Sequence, residues 1–104
     1  MKVIERTVEY YSDGRGVPFR EWFNSLRDGR VQQVLDARIA RLRRGLLGDC
    51  FSVGEGVLEL RIHLSPGYRI YFGQSENSIV LLLWGGIKKT QIEDVILAKK
   101  FWRE

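Results

Sequence analysis

The sequence has 104 residues, enough for one domain with a modest core and little room for a second. Seventeen Lys and Arg against thirteen Asp and Glu give a net charge of +4, which favours polyanionic partners without identifying one. A single cysteine, Cys50, excludes an internal disulfide, and with one histidine there is no Cys/His metal cluster, so we predict neither a metal nor a cofactor.

The longest apolar run, Ile79–Trp84, is far shorter than a membrane span, and no charged-then-apolar leader opens the chain. A lone cysteine also suits a reducing compartment. We therefore expect a cytoplasmic protein without a membrane partner.

The first elements predicted are a strand and a short helix. Residues Val3–Tyr11 alternate loosely between apolar and polar side chains, which indicates a strand. Pro18 stands where a first helical residue can lack its N–H. Apolar residues follow it at the spacing i, i+3, i+4, i+7 and predict an aromatic stripe on the core: Phe19, Trp22, Phe23 and Leu26.

A longer helix is predicted from Asp28-Gly29 to about Leu46. The residues predicted on its buried side are Val31, Leu35, Ile39 or Arg38, Leu42 and Leu46. Its C-terminal part carries a basic cluster: Arg38, Arg41, Arg43 and Arg44. Cations suit a helix C-terminus because of the helix dipole, so the cluster is either a solvated helix end or a contact for phosphates or a partner. Four glycines then predict a loop over Gly45–Gly56, without a phosphate-loop pattern.

A β-hairpin is predicted over Val57–Phe72. Apolar residues occupy every second position in both arms, so one face is apolar and the other is polar. The buried face favours a three-residue loop, Ser65–Gly67, with Leu64 opposite Tyr68. A two-residue turn centred on Pro66-Gly67 suits the turn chemistry better but would reverse the faces. The polar face then presents four side chains as an outline of an anion-binding surface: Arg61, His63, Arg69 and Tyr71.

The C-terminal part predicts a strand and a helix. Ile79–Trp84 lacks alternation, as expected of a strand covered on both faces, and Gly85-Gly86 is predicted to end it. Thr90 and Glu93 form a T-x-x-E capping box that opens the last helix. One side of that helix carries Gln91, Asp94, Val95, Ala98 and Trp102.

Several of these segments together resemble a known family. An apolar strand with E-L-R is followed by G-Y-R-I-Y-F and then by L-L-L-W-G-G-x-K-K-x-Q-x-x-D-x-x-x-A. Their order and spacing resemble the RelE/ParE toxin superfamily, and closely its branch of addiction module killer proteins near HigB. The helix with Pro18-Phe19 and Trp22 and the Arg-rich second helix also suit that branch, so the likeness covers nearly the whole chain.

The resemblance implies an α+β fold in which two N-terminal helices pack on a small antiparallel sheet, with a C-terminal helix, in a single toxin domain over residues 1–104. It implies the toxin of a type II toxin-antitoxin pair, whose cognate antitoxin is expected to be of helix-turn-helix type. HigB-like and RelE-like members cut mRNA on the ribosome, whereas ParE-like members poison DNA gyrase. The alternatives to a nuclease are therefore a gyrase-binding toxin and a phage-derived interaction domain without toxicity.

Metal-independent RNA cleavage needs a base for the 2′-OH, cations for the phosphorane and an acid for the leaving oxygen. Two arginines can clamp the phosphate, His63 or one of Lys88 and Lys89 can move protons, and Tyr71 can donate or stack. The tyrosine that moves a proton in RelE would fall near Asp94, so Asp94 or His63 is expected to act instead. The predicted catalytic set is Arg61, His63, Arg69, Tyr71, Lys88, Lys89 and Asp94. The predicted RNA-binding set is Arg38, Arg41, Arg44, Tyr68 and Gln91.

Overall fold

A computed structural model describes residues 5–75 and 78–104 of the chain. Its elements in chain order are β1 (Thr7–Tyr10), α1 (Pro18–Ser25), α2 (Gly29–Arg43), β2 (Cys50–Gly54), β3 (Val57–Ile62), β4 (Tyr68–Gln74), β5 (Ile79–Ile87), a 3₁₀ turn (Lys88–Thr90) and α3 (Gln91–Arg103). Within the described residues, five strands form one sheet and three α-helices pack on it, in agreement with the predicted α+β class. None of the helices in these ranges is long and apolar enough to cross a membrane.

The described strands follow the order β1-β5-β4-β3-β2 across the sheet. The pairs β2–β3, β3–β4 and β4–β5 are antiparallel, as predicted. The prediction of an antiparallel sheet is wrong for β1, which runs parallel to β5 with Thr7 opposite Ile79. β1 lies at one edge of the sheet beside β5, and β2 lies at the opposite edge. Val3 and Ile4 of the predicted first strand lie outside the described residues.

The two N-terminal helices begin where the sequence predicts. Pro18 occupies the first turn of α1, and the Asp28 carboxylate caps α2 by accepting a hydrogen bond from the Arg30 amide at 2.9 Å. The predicted end of α2 at Leu46 is wrong, since α2 ends at Arg43. Gly45 takes a φ of +83°, and the Leu46 amide donates to the Arg41 carbonyl, which closes the helix and leaves Leu46 exposed.

One face of the sheet packs against α1 and α2. The predicted positions Val31, Leu35, Ile39 and Leu42 of α2 are buried there, which confirms the apolar side of that helix. Residues from both helices and from three strands form this core: Phe19, Val31, Leu35, Ile39, Leu42, Leu60, Ile62, Ile70, Phe72, Val80 and Leu82. The alternation of the hairpin therefore predicts correctly which side chains face the helices.

The other face of the sheet, predicted to be polar and open, is covered by α3. Its core contains Tyr11, Val57, Tyr71, Leu83 and Ala98. Tyr71 has no exposed surface and Arg69 has 7%, so the prediction that both project from an open face is wrong. Leu83 faces this core while Val80 and Leu82 face the first, which confirms that β5 is covered on both sides.

The hairpin register differs by two residues from the predicted one. Leu60 pairs with Ile70 and Ile62 pairs with Tyr68, because β3 ends at Ile62 and leaves five residues in the connection. Leu64 belongs to this connection and is exposed. A shift of two residues keeps every side chain on its predicted face. The glycine-rich loop prediction is wrong for residues 50–54, where β2 pairs with β3.

Gly85 and Gly86 do not end the last strand, which continues to Ile87. They give space to side chains from two helices: a Cβ would lie 2.1 Å from the Trp22 ring at Gly85 and 1.8 Å from the Asp94 carboxylate at Gly86. The predicted capping box is also wrong. The Thr90 hydroxyl donates to Asp94 rather than capping α3, and Glu93 is exposed.

We expect Gly85→Ala to lower the free energy of unfolding by about 1–3 kcal/mol, because the methyl group overlaps the Trp22 ring and must displace α1. Gly29→Ala is the matched control, since a Cβ there has no neighbour within 4 Å. Its expected change is within about 0.5 kcal/mol. Urea denaturation of both variants measures the difference, and equal losses would contradict the steric explanation.

Candidate functional site

A buried carboxylate organises the polar groups between the sheet and α3. Glu59 has no exposed surface, and its two oxygens lie 2.7 Å from Arg61 Nε, 2.8 Å from Gln91 Nε2, 3.1 Å from the Tyr71 hydroxyl and 3.6 Å from Arg69 Nε. Strand alternation places residues 59 and 61 on one face, and the antiparallel register brings residues 69 and 71 opposite them. One anion therefore joins β3, β4 and the first residue of α3.

Glu59 contributes to raised pKa values at two of its neighbours. Its hydrogen bond raises the pKa of the Arg61 guanidinium. Burial, together with the charge of Glu59, raises the pKa of Tyr71, which stays a neutral donor. The Arg61 guanidinium also lies 4.4 Å from the centre of the Phe51 ring, a cation–π distance. Arg61 is thus held on two sides while 37% of its side chain stays exposed.

Arg69 lies deeper than predicted. Its Nη1 donates to the Gly67 carbonyl at 3.2 Å, and its Nε is buried without a hydrogen bond among the described residues. The ion pair with Glu59 compensates this burial. Arg69 is therefore a structural partner of Glu59 that also contributes to the wall of the neighbouring cleft.

The cleft beside Glu59 has a volume of about 350 Å³ and joins the end of β3, the start of β4 and the turn before α3. It brings together six of the predicted site residues and two others: Arg61, His63, Tyr68, Arg69, Lys88 and Gln91, with Ile62 and Gly67. Lys88 is exposed, and Tyr68 is partly exposed. Cationic groups from three elements converge on one concave surface, and their geometry suits a phosphate or another oxyanion.

A second cleft of about 310 Å³ continues from the first. Both are lined by Arg61, Ile62 and His63, and the second adds Arg38, Arg41, Gly48 and Asp49. His63 Nε2 is hydrogen-bonded to the Asp49 carboxylate, and its ring is largely exposed at the boundary between the clefts. The predicted RNA-binding residues Arg38 and Arg41 therefore adjoin the predicted catalytic residues.

Four predicted site residues lie outside the lining of both clefts. Tyr71 is buried, and Asp94, at 9% exposure, accepts hydrogen bonds from Trp84 Nε1 and from Thr90. Lys89 and Arg44 are exposed but do not line either cleft. Tyr71 therefore lies beneath α3, and Asp94 faces the sheet from α3, so both are positioning groups. No group of three His, Cys, Asp or Glu within residues 5–75 and 78–104 is arranged to hold a metal ion.

The sequence analysis did not place Glu59 among the site residues, although the structure puts it at the centre of the polar cluster. A signal was present, because Glu59 is a lone acid on a strand face that also carries Arg61 and faces Arg69 and Tyr71. A carboxylate surrounded by cations and a tyrosine is a candidate for burial. Asp49 and Phe51 were also missed, because β2 was predicted to be a loop.

We expect Glu59→Gln to lower the free energy of unfolding by about 3–5 kcal/mol at neutral pH, because it leaves Arg61 and the buried Arg69 without their counter-charge. Urea denaturation measures this change. Glu55→Gln is the matched control, since the Glu55 side chain is 56% exposed and its partners Lys99 and Arg103 lie at 3.8 and 3.4 Å. The expected loss in the control is below about 1 kcal/mol. Similar losses in the two variants would show that Glu59 has no special role.

Comparison with known proteins identifies a relative of similar length. An uncharacterized protein of Haemophilus influenzae is 41% identical over 86 residues, which are 83% of this chain and 87% of the relative. No protein-family model matches the sequence. Identity at this level across most of both chains shows common descent, and this chain therefore belongs to the same family as the Haemophilus influenzae protein.

Proposed function

We propose that the protein is the toxin of a type II toxin-antitoxin pair, a RelE/ParE-like protein of the HigB-like branch that cleaves mRNA on the ribosome. The observation that carries this proposal is the cationic cleft built on buried Glu59. The structure has the α+β class that the resemblance implies, with α1 and α2 on one sheet face and α3 on the other. The proposed activity follows from the sequence resemblance, and the cleft is the surface at which the RNA would bind and be cleaved.

The chemistry proposed is attack of a ribose 2′-oxygen on the adjacent phosphorus, which forms a 2′,3′-cyclic phosphate and breaks the bond to the 5′-oxygen of the next nucleotide. The departing 5′-oxygen takes a proton from water. Arg61 and Lys88 stabilise the charge on the phosphorane oxygens. Arg61 suits this role because Glu59 and Phe51 fix its guanidinium before the substrate arrives. Gln91 is held by Glu59, and Tyr68 offers an aromatic ring on which a base can stack.

His63 is the proposed proton-transfer group. Its Nε2 is hydrogen-bonded to Asp49, so that a proton on Nε2 leaves Nδ1 free to accept one from the 2′-OH. In this proposal the Asp49 carboxylate holds the His63 imidazole in one orientation, as the third residue of a catalytic triad holds its general base. The side chain is exposed at the cleft wall, where a substrate can reach it.

A basic toxin also requires a partner that covers its anion-binding surface. We propose a cognate antitoxin of helix-turn-helix type with an acidic segment that lies over this cleft. Electrostatic complementarity of this kind accelerates association and is weakened by salt.

The test is induction of the free protein in cells, with measurement of translation, DNA synthesis and RNA 5′ ends. We expect translation to fall first and new 5′ ends to appear only on ribosome-bound mRNA. Lys88→Gln should lower the cleavage rate by about 10²-fold, because it removes one cation from the phosphorane. Lys100→Gln is the control, since this exposed lysine of α3 lies outside the cleft lining and makes the same charge change.

Absence of ribosome-dependent cuts together with gyrase-linked DNA breaks would replace the nuclease with the gyrase-binding alternative. Absence of both, in a folded protein that does not arrest growth, would favour an interaction domain without toxicity. Equal cleavage by Lys88→Gln and Lys100→Gln would remove Lys88 from the active site.

A further inference from the structure

We infer that the second cleft is a separate phosphate subsite, so that the protein holds a single nucleic acid strand by at least two phosphates. The two side chains that supply this subsite are Arg38 and Arg41 of α2. This inference deepens the proposed function, on which it rests for its choice of RNA as the ligand. It concerns binding alone and requires no cleavage step.

The guanidinium of Arg38 is placed against the backbone by Gly48. A Cβ at Gly48 would lie 2.6 Å from Arg38 Nη1, and the φ of Gly48 is +64°, which side-chain-bearing residues rarely adopt. Gly48 thus leaves space for the end of the Arg38 guanidinium beside the loop that follows α2. Arg38 is partly buried in this position.

Arg38 and Arg41 are less fully compensated by carboxylates than Arg61 and Arg69 are, since Asp49 is the acid that lines their cleft. Neither forms an ion pair with a carboxylate in the part of the chain that the structure describes. Burial lowers the pKa of Arg38, and the like charge of Arg41 lowers it further. Arg61 and Arg69, in contrast, share Glu59. A bound anion would relieve the desolvation and repulsion at Arg38, so this cleft favours a ligand's negative charge more strongly than a solvated helix end does.

The two clefts share one wall, formed by Arg61, Ile62 and His63 at the end of β3. A strand whose phosphate binds near Arg61 and Lys88 can continue over His63 towards Arg38 and Arg41. The rings of His63 and Tyr68 lie along this path and provide surfaces for base stacking, which an acidic peptide would not use. A single-stranded nucleic acid is therefore the ligand that fits both clefts.

Asp49 lies in the same cleft and limits its affinity for anions. Its carboxylate is 36% exposed and is hydrogen-bonded to His63. A phosphate in this cleft would meet that negative charge. Removal of the charge should therefore tighten binding, whereas removal of Arg38 and Arg41 should weaken it.

The experiment uses fluorescent 2′-O-methyl oligouridylates, which lack the attacking 2′-OH and are not cleaved. Anisotropy gives Kd for a dinucleotide, which has one internucleotide phosphate, and for an octanucleotide, over a series of salt concentrations. In the natural protein, we expect the octanucleotide to bind much more tightly than the dinucleotide. In the double variant Arg38→Gln with Arg41→Gln, most of that difference should disappear. The slope of log Kd against log salt should fall by about 1.4, the value for two phosphate contacts on a single strand.

The matched control is Arg27→Gln with Arg30→Gln, which makes the same change in net charge at exposed positions outside both clefts. Its salt slope should equal that of the natural protein. Asp49→Asn removes a negative charge from the second cleft and should therefore strengthen binding. Its Kd for the octanucleotide should fall by about fivefold, as expected when one charge that repels the phosphate is removed.

Equal slope changes in the two double variants would overturn the inference, because net charge alone would then explain binding. Equal affinities for the two oligonucleotides, or an octanucleotide that polyglutamate displaces at equal charge concentration, would also overturn it. If the double variant of Arg38 and Arg41 does not fold, Asp49→Asn provides an independent test. Unchanged or weaker binding of the octanucleotide by Asp49→Asn would overturn the inference. Intact two-subsite binding in a protein that cleaves no RNA would refute the proposed function and leave this inference standing.

Discussion

The interaction of the Glu59 carboxylate with two arginines, a tyrosine and a glutamine is the constraint on which the candidate site depends. A charge with no exposed surface is stable only when hydrogen bonds and counter-charges replace its water. Here the counter-charges come from β3 and β4, and the hydrogen bond that Gln91 donates to Glu59 joins the start of α3 to the same carboxylate. The antiparallel register sets Arg61 directly opposite Arg69, a repulsive pair that the shared anion makes stable.

A second constraint is the need to fit helices against both faces of a thin sheet. Gly85 and Gly86 are neighbours on β5, yet each accommodates a different helix: Trp22 of α1 on one face and Asp94 of α3 on the other. Asp94 in turn binds Trp84 and Thr90, which fixes the turn that carries Lys88 towards the cleft. Close packing of the fold and the placement of cationic groups therefore rely on the same residues.

The sequence could predict whatever depends on local periodicity. Alternation in the hairpin identified its two faces, and helical spacing identified the buried side of α2, since both patterns repeat over a few residues. The sequence could not predict that α3 would cover the polar face, because that contact joins residues far apart in the chain. Arg69 and Tyr71 were thus expected at the surface. The extra length of the 63–67 connection was missed for a different reason, since turn residues permit several registers.

Gln91 is the first residue of α3 and also donates a hydrogen bond to Glu59. The docking of α3 on the sheet and the geometry of the cleft are therefore linked equilibria. If the start of α3 lifts away, Glu59 becomes hydrated and its hold on Arg61 weakens. An anion that binds preferentially to the ordered cleft must, by reciprocity of linked equilibria, stabilise the docked helix to the same extent. Amide hydrogens at the beginning of α3 should then exchange more slowly when the cleft is occupied, although that helix supplies only one residue to the cleft lining. Local unfolding of α3 is in this way coupled to ligand affinity.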